Sequence, residues 1–174
     1  MISMQQVYIP QERIRKLRGS RTQVPRIERL CGCKIKLLDD CAVIEGDAFA
    51  EYTARNIIYA IGRGFEIDAA CLLANDDYYF SSIDIEQSAR NQKRMKQLKA
   101  RIIGENGRSK RYIEEVSSAK VSVYGDTVSF IGTIEGINEA ETAVSTLVDG
   151  GTHRLAYSRM EAAHRKNREA RKRP

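Results

Sequence analysis

The residues of this 174-residue chain best suited to chemistry are those that handle anions. Ile102-Ile-Gly-Glu-Asn-Gly-Arg-Ser-Lys-Arg-Tyr-Ile113 sets two glycines three apart and follows them with Arg108, Lys110 and Arg111. Glycines at that spacing permit a sharp turn with no Cβ in the way, so a sugar-phosphate backbone can approach the main chain. The N–H groups opening the following helix favour negative charge, and the cations beside them can neutralise phosphates. Other chemistry is poorly provided for. The histidines, His153 and His164, both lie near the C-terminus, leaving no Ser/His or Cys/His relay in the body. Asp39-Asp40 and Asp76-Asp77 are adjacent pairs without clustered partners, better explained by turns than by Mg²⁺. Cys31, Cys33 and Cys41 fall short of a four-ligand zinc site, and Cys71 lies beyond a helix. Ordinary buried thiols are expected, with no catalytic residue, metal or cofactor.

The elements that position the loop follow from charge and periodicity. The net charge of +6 is unevenly spread. Residues 1–36 hold nine Lys/Arg against two acids, and 37–89 hold two against eleven. Residues 90–111 return nine against one, 112–152 hold one against seven, and 153–174 hold eight against two. Two basic blocks thus open two stretches that each end acidic. That ordering suits a surface facing an anionic polymer, and it equally suits solvated helix faces. No apolar run approaches a membrane span, the first ten residues lack a signal-peptide pattern, and four irregularly spaced cysteines fit a reducing cytosol.

The chain also repeats. Lys34-Ile-Lys-Leu37 aligns with Lys120-Val-Ser-Val123 at an offset of 86, which also carries Gly46 to Gly132, Ala54 to Ala140, Ile58 to Val144 and Gly64 to Gly150. Each copy reads as strand, helix, glycine loop, helix, hairpin and closing helix, so β-α-α-β-β-α occurs twice in an α+β chain. In the first copy the spacing predicts a strand over 6–9, helices over 12–18 and 24–31, strands over 34–38 and 41–45, and a closing helix ended by Gly62 and Gly64. In the second it predicts a strand over 79–85, a basic helix over 86–103, a helix over 109–117, strands around Val121–Val123 and Val128–Phe130, and a closing helix over 134–148. The expected organisation is a first domain over 1–64, an apolar connecting helix within 65–77, a second domain over 78–152 and a basic helical tail over 153–174. The apolar connection implies that the two domains pack together. In the tail, Leu155, Met160 and Ala163 are expected to dock while Arg165 to Arg173 stays exposed.

On the loop, its flanking isoleucines and the β-β-α continuation, both copies, about 5–64 and 78–150, resemble the KH RNA-binding domain of type I topology. The family clamps backbone nucleotides at this loop. The resemblance therefore implies an RNA site of Ile103, Gly104, Glu105, Asn106, Gly107, Arg108, Ser109, Lys110 and Arg111. It would also place Val121 and Val123 near the bases, although plain core packing explains those two equally well. The first copy departs from the pattern. Gly19-Ser-Arg-Thr22 lacks the second glycine and its basic run, leaving either a structural domain or an auxiliary surface using Arg18, Arg21 and Arg26. The tail cations, including Arg165 and Arg168, are either an arm reaching rRNA or a solubilising terminus.

The whole chain is similar to the archaeal tandem-KH ribosome-assembly factors of the partner-of-Nob family. The points of likeness are the degenerate first loop, Gly62-Arg-Gly-Phe-Glu-Ile67, Asp77-Tyr-Tyr-Phe80, Arg101-Ile-Ile-Gly-Glu-Asn-Gly-Arg108 and Ile113-Glu-Glu115. The resemblance implies a cytoplasmic, non-catalytic binder of single-stranded RNA near the 3′ end of precursor 16S rRNA, acting in small-subunit maturation. It implies as partners an rRNA-trimming nuclease, an initiation-factor subunit and an rRNA dimethyltransferase. The alternative is a protein scaffold that positions such partners, with RNA contact secondary.

Overall fold

The computed structural model describes residues 3–172, which fall into two compact units, Met1–Tyr78 and Tyr79–Pro174. The first contains β1 (Ser3–Tyr8), α1 (Gln11–Gly19), α2 (Gln23–Cys31), β2 (Lys34–Leu37), β3 (Cys41–Gly46), α3 (Ala48–Gly62) and α4 (Ile67–Ala70), with a 3₁₀ turn over Cys71–Ala74. The second contains β4 (Tyr79–Asp84), α5 (Gln92–Ile103), a 3₁₀ turn over Glu105–Gly107, α6 (Arg108–Ser117), β5 (Lys120–Tyr124), β6 (Thr127–Gly132), α7 (Ile134–Val148) and α8 (His153–Ala170). Each unit holds an antiparallel three-stranded sheet, ordered β1-β3-β2 and β4-β6-β5. The registers match at the repeat offset, Ile35 opposite Ile44 and Val121 opposite Phe130.

Burial explains why the pattern folds this way. Ile14, Leu17, Ile27, Ile44, Ile57 and Ile58 fill the first core. Ile85, Ile102, Ile113, Val128, Phe130 and Leu147 fill the second. Each such aliphatic side chain contributes on the order of 1.5–3 kcal/mol by leaving water. The closing helices start at side-chain caps: Asp47 accepts from the N–H groups of Phe49 and Ala50, and Thr133 accepts from Gly136. Both helices end alike, with Gly64 N–H donating to Ile61 O and Gly150 N–H to Leu147 O. A guanidinium then caps each end. Arg13 donates to Ile61 O and Phe65 O, both at 2.7 Å, and Arg101 donates to Leu147 O and Gly151 O.

Two expectations are corrected. The basic helix starts at Gln92 rather than Glu86. Asp84 Oδ1 accepts the Glu86 N–H at 2.8 Å, Ala89 N–H closes a turn on Glu86 O, and Asn91 caps the helix at Arg94 N–H. Asp and Asn thus draw the backbone into turns where apolar periodicity alone suggested continuous helix. Within the segment over 65–77, α4 and the 3₁₀ turn pack on α3. In the tail, Leu155 is 42% exposed, whereas Ala156 and Met160 are fully buried. Capping at Thr152 sets the phase of α8 so that residues 156 and 160, one turn apart, face α7. The second half of α8 is also anchored. His164 Nδ1 and Asn167 Nδ2 bond the carboxylate of Glu139, and Arg171 pairs with Glu135. Arg165, Lys166, Arg168 and Lys172 remain exposed. Arg173 lies outside the described residues.

Candidate nucleic-acid interface

The loop between α5 and α6 is built by backbone conformations that most residues avoid. Gly104 has φ 75° and ψ 170°, Asn106 φ 53° and ψ 28°, and Gly107 φ 73° and ψ 13°. The two glycines do different work. A Cβ on Gly104 would stand 2.7 Å from both Ser109 Cβ and Ser109 N, so this glycine lets the chain fold back onto the first turn of α6. A Cβ on Gly107 would meet nothing within 4 Å. That glycine therefore leaves open space beside the start of α6, where the Arg108 N–H bonds Glu105 O. Asn106 takes the left-handed conformation as asparagine does more readily than most residues.

Side chains brace the turn from beneath. Arg111 donates to Asn106 O at 2.9 Å. Lys110 pairs with Glu114 at 3.2 Å, and Glu114 also accepts the Val121 N–H at 2.8 Å, joining α6 to the outer strand β5. The same carboxylate-to-strand bond occurs in the first unit, Glu28 accepting from Ile35 N–H at 2.8 Å. Ser109 is 2% exposed, and its Oγ is buried without a partner among the described residues. Glu105 and Asn106 are exposed at the tip. Arg108 is exposed and forms no ion pair among the described residues, so its charge is available beside the open backbone of Gly107. Lys93 and Lys96 add exposed positive charge along α5.

Both α5 and α6 pack on β5, bringing the loop and that strand into one region. Ile103 is half-buried at the end of α5, while its neighbour Ile102 is fully buried. The two valines part company: Val121 is 3% exposed and belongs to the core, and Val123 is half-buried on its margin. Sequence reasoning gave no role to Glu114, whose separation from Val121 was the only signal, repeated in Glu28 and Ile35.

The first unit has no comparable cradle. Gly19 ends α1, Ser20 is extended at φ −99°, and Thr22 has φ −111°. None of the positive-φ residues falls between Gly19 and Thr22. Arg18 donates to Leu38 O at 2.9 Å and lies 3.6 Å from Asp39, while Arg26 pairs with Asp68 at 2.6 Å. Arg21 is exposed. The cysteines are free thiols, and burial pushes the Cys31 thiol up to about 12. No group of three or more His, Cys, Asp or Glu among the described residues could hold a metal ion. No described helix is long and apolar enough to cross a membrane.

Comparison with known proteins agrees with this geometry. The family model of the eukaryotic-type KH domain, KH-domain type I, matches residues 79–165. A KH domain-containing protein of Methanocaldococcus jannaschii is 38% identical over 97% of this chain and 78% of its own length. The pre-rRNA-processing protein Pno1 of Chaetomium thermophilum is 25% identical over 91% of this chain and 65% of its own. The chain thus spans just under two thirds of that fungal relative. Among solved structures, Dim2p from Pyrococcus horikoshii is 35% identical with a TM-score of 0.83, covering 92% of this chain and 99% of that one. A complex of a/eIF2alpha, aDim2p and rRNA from the same organism contains a chain 33% identical, with a TM-score of 0.86 and coverage of 95% and 96%.

Proposed function

This chain belongs to the type I KH family of Pno1 and Dim2 ribosome-biogenesis proteins, and on that premise we propose that it binds single-stranded RNA near the 3′ end of precursor 16S rRNA and assists small-subunit maturation without catalysis. The observation that carries this reading is the loop at Gly104–Gly107. Its outer backbone lies open, the N–H groups of a ten-residue helix follow, and Arg108 stands unpaired beside them. A phosphate seated there would gain directed donors and a nearby cation, while the bases would turn toward Ile103 and Val123. Both histidines hold structural bonds, His153 Nε2 with Arg101 O and His164 Nδ1 with Glu139, which supports a binding role rather than proton transfer.

An initiation-factor α subunit as a protein partner is supported by the rRNA complex of the Pyrococcus relative. A trimming nuclease and an rRNA dimethyltransferase are the further partners suggested by the family. The test is a crosslinking map of bound RNA in cells, paired with the double substitution Arg108→Glu and Lys110→Glu. Sites clustered at the 3′ end of the small-subunit rRNA and lost in the variant are expected. Sites scattered over messenger RNA, or clustered sites that survive the charge reversal, would overturn the reading.

A further inference from the structure

The internal repeat continues past the closing helices, and its two ends differ in one respect that leaves a surface open. Phe65 N–H bonds Ala60 O as Gly151 N–H bonds Thr146 O, both at the offset of 86. Glu66 and Thr152 then occupy the N-cap positions of α4 and α8, and Ala70 and Ala156 are both fully buried. The short α4 with its 3₁₀ turn therefore stands where α8 begins. It ends at Ala74, whereas α8 runs on to Ala170.

In the second unit the added length covers α6 and the first half of α7. Tyr112 donates to Glu161 and stacks edge-on with Tyr157 at 4.7 Å, and Val116 packs against the core. Glu139 and Glu135 are held by the distal turns of α8. In the first unit nothing follows in that place. Leu30, at the position of Val116, is 48% exposed; Phe49, at that of Glu135, 69%; and Tyr52, at that of Asn138, 61%. Beside them an open groove of about 550 Å³ continues from the end of the short helix, lined by Arg26, Arg29, Leu30, Asp68, Cys71 and Leu72.

We infer that the exposed apolar side chains of α2 and α3 in the first unit, together with this groove between α2 and the short helix, dock an amphipathic helix of a protein partner, laid as the distal half of α8 lies on the second unit. Two features specify its chemistry. Where the second unit offers the carboxylates Glu135 and Glu139 to its helix, the first has Phe49 exposed and Thr53 buried, with Leu30 and Tyr52 also exposed, so the incoming face is aliphatic or aromatic. The groove wall carries Arg29 and Arg26, the latter paired with Asp68, while the exposed acids nearby in sequence are Glu45 and Asp47 just before Phe49 and Asp76 and Asp77 just after the short helix. The flank of the guest helix that meets these four acids is accordingly Lys- and Arg-rich. An RNA strand would meet like charge along these acids. The α8 of a second copy is already tied to its own α7. The inference stands apart from the reading of the loop in the second unit.

The probe is a fluorescent peptide of residues 153–172 carrying His164→Leu and Asn167→Leu, which keeps the basic flank and gives the contact face apolar side chains. Titrated with the full-length protein, it should bind in the range of about 1–50 μM, as helix-in-groove contacts of this size do. Phe49→Ala with Tyr52→Ala should weaken it at least tenfold, leaving the melting temperature and single-stranded RNA affinity unchanged. Failure of the peptide to bind, equal binding by the variant, or displacement by RNA would overturn the inference. So would a concentration-dependent dimer that the same variant abolishes, because a second copy would then be the occupant.

Discussion

Substituting each loop glycine by alanine should separate folding from binding within one motif. At Gly104 the backbone lies at φ 75° and ψ 170°, a region open almost only to glycine, so alanine stores about 1–3 kcal/mol of strain there. Its Cβ would also come within 2.7 Å of the backbone N of Ser109, and relieving that contact costs about 1–3 kcal/mol more. A loss of about 4 kcal/mol should lower the melting temperature of the second unit by about 16–32 °C. At Gly107 the new Cβ touches nothing, and the left-handed conformation alone costs about 1–2 kcal/mol. Gly107→Ala should therefore melt about 4–16 °C low, well short of Gly104→Ala, yet lose at least tenfold in affinity for single-stranded RNA, because its methyl occupies the space a phosphate needs. Differential scanning calorimetry and anisotropy with a labelled single-stranded RNA at one salt concentration measure both. Equal destabilisation by the two substitutions, or parental RNA affinity in Gly107→Ala, would refute the assignment of separate roles.

Other tests address charge, the tail and the thiols. Glu105→Asp with Asn106→Asp should abolish RNA binding while preserving the fold, since Asp tolerates the left-handed conformation at 106; acids placed at Ser20 and Arg21 should cost less, as read by filter binding. Parental binding should fall with salt along a log–log slope of about −2 to −4, the mark of roughly three to five phosphate contacts on a single strand. Met160→Ala should destabilise the second unit by about 2–5 kcal/mol in urea titration, because Met160 is fully buried. Removing residues 153–174 should accordingly cost more stability than exposed basic residues alone would suggest. Burial raises the Cys31 thiol from the ordinary 9.0 to about 12, so its proton is held more tightly in the folded chain. The stability this contributes is complete below about pH 9 and is lost as pH rises toward 12. Urea midpoints above pH 9 should fall less steeply in Cys31→Ala than in the parent, and an unchanged slope would remove Cys31 from the account.

Much of this architecture is legible in the residues. The offset that joins Ile35 to Val121 and Gly64 to Gly150 places both hairpins and both closing helices, because period-2 and period-3.6 burial are both demanded by one core. What is not legible depends on contacts remote in sequence or on phase. Leu155 is the more hydrophobic neighbour of Ala156, yet the Thr152 cap turns the alanine inward. The likeness of α4 to α8 is hidden because the residues are unrelated and the shared feature is position beyond a common helix end. At the loop, the glycine pair and its cations are visible in sequence. That Arg111 braces Asn106 while Arg108 stays unpaired is a matter of side-chain reach, which spacing does not encode.

The carboxylates of Glu28 and Glu114 have a consequence for how this chain behaves in a crowd. An outer strand ordinarily offers a row of unused amides on which a foreign strand can assemble, the first step from native sheet to fibril. On β2 and β5 the amides of Ile35 and Val121 are already occupied from within the unit. A newcomer would have to evict a carboxylate that is tethered by its own helix and therefore always at hand. Each sheet is in this sense guarded at one point of that edge against templated growth. Amide-exchange protection at Ile35 and Val121, unusual for outer strands, is the property by which that guard could be seen.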